Sequence, residues 1–268
     1  NTTGNYIAAN GSGALVISGN ITATATNTLR LIGQTGGYFN PITNQVTGTI
    51  TEGANVLSIA MSASGNDDRF GITSHWALTN TANDFSGGIT VNIGMLEFGG
   101  DLGTGGAVGT SQLGDLTAAR TFTLGTNNFD GRRYDMFGSG DQIGAAGSNQ
   151  GTNTLAPNSG STGTIIFNST NAATFTLPSN ITLTQSFNST TNPGSGQIIN
   201  DGVGAVVIQG NLTSGATGAR NWFLDGTNTG TNIISGIISD TSNTGNTVGV
   251  VKEGAGTWQL SGVNTYEG

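Results

Sequence analysis

The chain has 268 residues, 46 of them Gly, with no Cys, 8% charged residues and a formal charge of −8. Seven Lys plus Arg are too few for a phosphate-tracking nucleic-acid surface or for a basic patch on anionic lipid. The lack of Cys removes disulfides, thiolate metal sites and a Cys nucleophile, and 34% hydrophobic residues in short runs argue against a disordered tract.

Gly, Thr, Asn and Ser make up about half of the chain, a composition suited to short strands joined by tight turns. The chain starts at Asn1 without an initiator Met or a basic-then-apolar leader, which reads as an interior piece of a longer polypeptide. Gly11-Ser12-Gly13 is the first turn cluster. Ile21-Thr22-Ala23-Thr24-Ala25 then alternates apolar and polar residues, the period of a half-buried strand. Gly36-Gly37 and Gly99-Gly100 mark further turns. Alternation returns at Thr121-Phe122-Thr123-Leu124, Thr174-Phe175-Thr176-Leu177 and Ile181-Thr182-Leu183-Thr184, before the turn at Asn192-Pro193-Gly194. No stretch sustains a helical period, and runs such as Ile165-Ile166-Phe167 and Val206-Val207-Ile208 are too short to span a bilayer.

Chemistry-bearing residues are sparse. Asp67-Asp68 near His75 has the residue types of a polysaccharide hydrolase, in which two carboxylates serve as acid and base. His75 precedes Trp76 and the sole Lys is Lys252, so these residues read as a solvated turn and an edge His. Asp130-Gly131-Arg132-Arg133-Tyr134-Asp135 has lyase-like residue types but reads as a loop with exposed ion pairs. Gly138-Ser139-Gly140-Asp141-Gln142-Ile143 is one faint echo of a calcium repeat, and one copy does not supply the oxygens the ion needs. The Thr pairs Thr22/Thr24, Thr121/Thr123, Thr174/Thr176 and Thr182/Thr184 suggest an ice-facing ladder, but their irregular spacing reads as ordinary strand Thr. Sequons such as Asn20 and Asn211 arise readily by chance in a chain this rich in Asn and Thr, so glycosylation is not inferred from them. No catalytic, cofactor-binding or metal-binding residue is assigned, and no cofactor is expected.

Internal similarity is more informative. Gly11 to Thr22 aligns without a gap on Gly202 to Thr213, and Leu31-Ile32-Gly33 aligns on Leu224-Asp225-Gly226. Asn44 to Thr51 aligns on Asn232 to Ser239, and Trp76, Leu78, Asn83, Phe85 and Gly87 align on Trp258, Leu260, Asn264, Tyr266 and Gly268. The order is kept throughout. Residues 1–87 therefore read as the C-terminal part of one super-repeat, and residues 88–268 as a second one continuous with it. Inward-pointing residues recurring over the whole length favour an all-β solenoid of tandem repeats over a compact sandwich. Coils of about 20–25 residues would give about a dozen coils and a rod of roughly 55–60 Å. Trp76, Trp222 and Trp258, with Phe85 and Tyr266, are the expected anchors of its narrow core.

The segment Lys252-Glu253-Gly254-Ala255-Gly256-Thr257-Trp258-Gln259-Leu260-Ser261-Gly262-Val263-Asn264-Thr265-Tyr266-Glu267-Gly268 resembles the passenger-associated transport repeat, also called the autotransporter-associated β-strand repeat. That pattern runs K-x-G-x-G-T-L-x-L-x-G-x-N-x-Y-x-G, then G-x-T-x-V-x-x-G-x-L. Trp76 to Phe98 carries its tail, while Gly71-Ile72-Thr73-Ser74-His75 departs from its start and Trp replaces the commoner Leu in both copies. The resemblance implies a right-handed parallel β-helix (β-solenoid) in a large secreted bacterial surface protein, located outside the cell or on its outer surface. It implies turns and core positions and no catalytic residues.

The expected function is a non-enzymatic stalk or extracellular fibre. An adhesin passenger that binds a host, neighbouring-cell or polysaccharide ligand through lateral loops such as Asp130 to Gly151 is the alternative, and a polysaccharide-active β-helix enzyme the weaker one. Expected partners are neighbouring repeats of the same chain, further copies in a filament, and surface glycans. No nucleic acid and no membrane span within this segment are expected.

Overall fold

The computed structural model describes residues 5–9, 11–33, 36–37, 40–41, 44–61, 75–91, 95–98, 111–125, 141–146, 162–167, 172, 174–186, 195–214, 218–240 and 247–268. These residues form strands and turns, with no helix among them. Branched Thr, Val and Ile favour extended backbone, and Gly and Asn take the corners between strands.

The strands follow a fixed cyclic order through three faces. The first face is a seven-stranded sheet running from Asn5–Ala9 to Leu212–Ser214. The second is nine-stranded, from Val16–Ile17 to Val248–Lys252. The third holds short strands, a pair at Ile21–Thr22 and Ile50–Thr51 and a four-stranded sheet from Phe175–Leu177 to Thr257–Leu260. Parallel strands stacked in this way form a β-solenoid, as the sequence led us to expect.

Through the first face, Asn5, Leu29, Ile59, Ile89, Phe122, Leu183, Leu212 and Ile238 lie one above another, at steps of 24, 30, 30, 33, 61, 29 and 26 residues. The coils are thus longer and fewer than expected, because each closes three strands and three polar corners. At about 4.8 Å per step, the stack from Asn5 to the Thr265 level rises about 40 Å, not the longer rod anticipated.

The core is a narrow column. Inward residues alternate with outward ones, as in Arg220–Asp225, whose positions are buried and half-buried in turn. Trp76, Trp222 and Phe85 are fully enclosed, as expected of anchors, whereas Trp258 and Tyr266 are half-buried at the last coil. Glycine makes room where bulk is greatest: a Cβ on Gly196 would lie 2.4 Å from the Trp222 ring.

The stack departs from a continuous parallel one at Asp141–Ala146. This strand pairs antiparallel with Met95–Phe98 on one side and Thr162–Phe167 on the other. On the first face, by contrast, Arg120–Gly125 pairs directly with Ile181–Ser186. The second face therefore carries an extra, reversed strand at this height. Alternation with period two reads the same in both directions, so strand direction is set by the connections and not by the pattern.

The aligned blocks do not share faces. Trp76 lies on the second face and Trp258 on the third. Ile21 lies on the third face and Leu212 on the first, while Leu31 lies on the first and Leu224 on the second. Equivalent residues of the two copies are turned about the solenoid axis by one face.

Candidate functional site

The aligned residues make the same hydrogen bonds in both copies. Leu15 N donates to Asn44 Oδ1 at 2.9 Å, and Val206 N to Asn232 Oδ1 at 3.0 Å. Ile50 N donates to Asn83 Oδ1 at 2.8 Å, and Ile238 N to Asn264 Oδ1 at 2.9 Å. Trp76 Nε1 donates to Ile32 O at 3.3 Å, and Trp258 Nε1 to Asp225 O at 3.0 Å. Backbone donors at a corner miss the regular ladder, and buried ones must still be paired. An Asn amide turned inward supplies that acceptor, so the Asn and Trp of the motif pin one coil to the next.

Glycine completes the corner. A Cβ on Gly48, Gly236 or Gly262 would lie 2.1, 1.9 or 2.2 Å from the carbonyl oxygen of Gly19, Gly210 or Gly236 respectively. These contacts leave no space for a side chain between stacked corners.

Arg120 is a buried cation that the sequence reading did not single out. It is 7% exposed. Its Nη1 donates to Phe85 O at 3.0 Å and Gly87 O at 3.3 Å, and its Nη2 donates to Leu113 O. The guanidinium carbon sits 5.5 Å from the Phe85 ring centroid and 5.1 Å from that of Phe122, a cation–π sandwich. Burial lowers its pKa to about 10, against the opposing pull of the Asp115 and Glu52 carboxylates. The sole signal in the sequence is a charged residue directly ahead of the alternating Thr121-Phe122-Thr123-Leu124.

Three of the described carboxylates accept from backbone N–H groups, some within a turn and some from the next coil. Glu52 Oε2 accepts from Leu57 N at 2.9 Å and Ser86 N at 2.8 Å, Asp84 Oδ1 accepts from Glu52 N at 2.8 Å, and Asp115 Oδ1 accepts from Thr117 N at 2.8 Å. Asp225 and Glu253 stack in adjacent coils, in the register set by Leu224 and Lys252. Desolvation, then the Asp225 charge, raises the Glu253 pKa, and Lys252 opposes the shift.

Among the described residues no group of three or more His, Asp or Glu could hold a metal ion. Asp67, Asp68 and the loop from Asp130 to Asp135 lie outside the described residues. His75 is described through its backbone, which pairs with Met95. Asp141, Gln142 and Ile143 are described as part of the reversed strand. The Thr residues come out differently from their sequence spacing. Thr90, Thr123, Thr184 and Thr213 stack in consecutive register on the outward side of the first face, although 33, 61 and 29 residues separate them. Unequal loop lengths between strands hide this row in the sequence.

A parallel solenoid whose corners are pinned coil to coil by Asn, Gly and Trp is a repeat scaffold. Two of its segments match the family model of the passenger-associated-transport repeat, residues 73–98 and 250–268, which hold Trp76 and Trp258. No curated protein and no solved structure matches the chain. The matched repeat is that of autotransporter passengers, and the fold fits a passenger segment.

Proposed function

We propose that the chain is a non-enzymatic structural segment of a large secreted bacterial surface protein, a stalk or extracellular fibre in which coils stack along one axis. The observation that carries this reading is the use of the interior polar groups. Asn44, Asn83, Asn232 and Arg120 all hold one coil to another, and the carboxylates of Glu52, Asp84, Asp115 and Asp201 accept from backbone N–H groups. Side chains spent on backbone groups are not free to act on a substrate. The family match supports secretion to the outer surface, since the repeat belongs to autotransporter passengers.

Electron microscopy of the purified native protein, with no partner added, tests the proposal. Rods or filaments whose axial repeat equals one super-repeat are expected. Uniform rods ending in a distinct tip would instead favour an adhesin carried on a stalk, and compact globular particles would overturn the stacking itself.

A further inference from the structure

One strand of the second face is built from residues that strands disfavour. Asp141–Ala146 reads Asp-Gln-Ile-Gly-Ala-Ala, and Ile143 is its one branched apolar residue. Asp, Gly and Ala are depleted in strands because they offer little to pack on a pleated surface. The strands on either side are richer, Met-Leu-Glu-Phe at Met95–Phe98 and Thr-Gly-Thr-Ile-Ile-Phe at Thr162–Phe167. The register sets Asp141 opposite Phe98 and level with Phe167, which are 1% and 2% exposed. A row that is apolar on both sides is a costly place for a charged carboxylate.

The same strand is the source of a mismatch between faces. On the first face Ile89 and Phe122 are direct neighbours, one step apart. On the second face Met95–Phe98 and Thr162–Phe167 are two steps apart, with Asp141–Ala146 between them. Two antiparallel pairings in succession leave these outer strands parallel to each other and in register. Met95, Leu96 and Glu97 are level with Thr164, Ile165 and Ile166 through Gly144, Ile143 and Gln142. The Phe175 ring on the third face reaches both sides of the gap, 6.5 Å from the Phe98 ring and 5.0 Å from the Phe167 ring.

We infer that Asp141–Ala146 is a removable strand and that the second face has two closed forms, one with this strand inserted and one in which it leaves and Met95–Phe98 pairs directly with Thr162–Phe167. The second form needs no slip of register: Leu96 meets Ile165 and Phe98 meets Phe167. Leaving gives up two ladders and regains one, so the inserted form is the major one. Opposing that loss are a closed apolar row, an aspartate returned to water and two faces of equal height. The other form is thus a locally opened, minor state of the folded stack. It gives the solenoid one place where the wedge can be withdrawn without unfolding a coil. This inference goes beyond the stalk proposal and holds whatever the stack is used for.

The chain has no Cys, so an introduced pair reports distance cleanly. Glu97, Gln142 and Ile166 share one row. With the strand inserted, Glu97 and Ile166 are two steps apart, about 9–10 Å, beyond the roughly 7 Å between Cα atoms that a disulfide spans; with it gone they are about 4.8 Å apart. Under oxidised glutathione, E97C/I166C is expected to close an intramolecular disulfide, read by non-reducing electrophoresis and peptide mass mapping. Deleting residues 141–146 should speed closure at least about tenfold, and D141L, which favours the inserted form, should slow it about tenfold. The closed product should keep the parent's β-type circular dichroism and cooperative melt. The pair E97C/Q142C joins direct neighbours of the inserted form and should close readily. An E97C/I166C pair that stays open in the full chain, with or without closure in the deletion variant, overturns the inference. So do disulfides that form between molecules, or a closed product that has lost its melt. An open E97C/Q142C pair removes the inserted form and the inference with it, and D141L closing as fast as the parent removes the aspartate's part.

Discussion

At the scale of single residues, stability rests on small groups in enclosed corners. Gly236→Ala puts a methyl 1.9 Å from Gly210 O, so it should lose about 1–3 kcal/mol by overpacking. Gly13 has nothing within 4 Å of a Cβ, and Gly13→Ala should stay within about 0.5 kcal/mol of the parent. Urea denaturation midpoints separate the two. Asn232 accepts from Val206 N and from Asn200 Nδ2, and donates to Thr257 O. Asn232→Ala should therefore lose about 1–3 kcal/mol, because Val206 N is left buried without a partner. Glu253 gives a pH dependence. Its folded pKa is raised, so its unfavourable contribution is absent below its unfolded value of 4.5 and appears as pH rises through the folded value. Glu253→Gln should match the parent in stability at acid pH and exceed it at neutral pH. A melting series across pH reads the crossover, and a gap that persists below the unfolded value would refute this assignment.

At the scale of elements, the coil is the unit that can be added or removed. Thr227 N donates to Asp201 Oδ1 across 26 residues, and Ile237 N to Asn211 Oδ1 across the same separation. Deleting residues 227–252 removes one such coil and brings Glu253 to the place of Thr227. We expect this variant to keep a cooperative melt and a β-type circular dichroism spectrum, whereas deletion of half that length should abolish both. The coil equivalence was legible in the sequence, since Asn44 aligned with Asn232 and Trp76 with Trp258, and Trp76 stacks on Asn44 as Trp258 stacks on Asn232. Coil length was not. Alternation locates a strand but says nothing of how many polar residues a corner consumes. The reversed strand at Asp141–Ala146 was hidden for a related reason, because its pattern is the same in either direction. Arg120 was illegible because its partners are carbonyl oxygens, and any residue type can supply those.

At the scale of the whole molecule, each coil touches its neighbours and little else, so opening should be graded along the axis. Amide exchange should be fastest in the terminal strands Asn5–Ala9 and Thr257–Leu260 and slowest near Ile181–Ser186, which is covered on both sides. Mass-resolved hydrogen exchange checks this order, and uniform exchange would mean that the stack opens as one body.

The one-face turn between equivalent copies bears on the mechanics of any longer array of such units. An extra strand on one face adds about 4.8 Å to that side of the stack, which would tilt the axis toward the opposite side. If each successive unit is turned by one face, the tips point in three directions in succession and cancel over three units. Curvature in the part then becomes a shallow corkscrew in the whole, and a filament assembled from wedges runs straight.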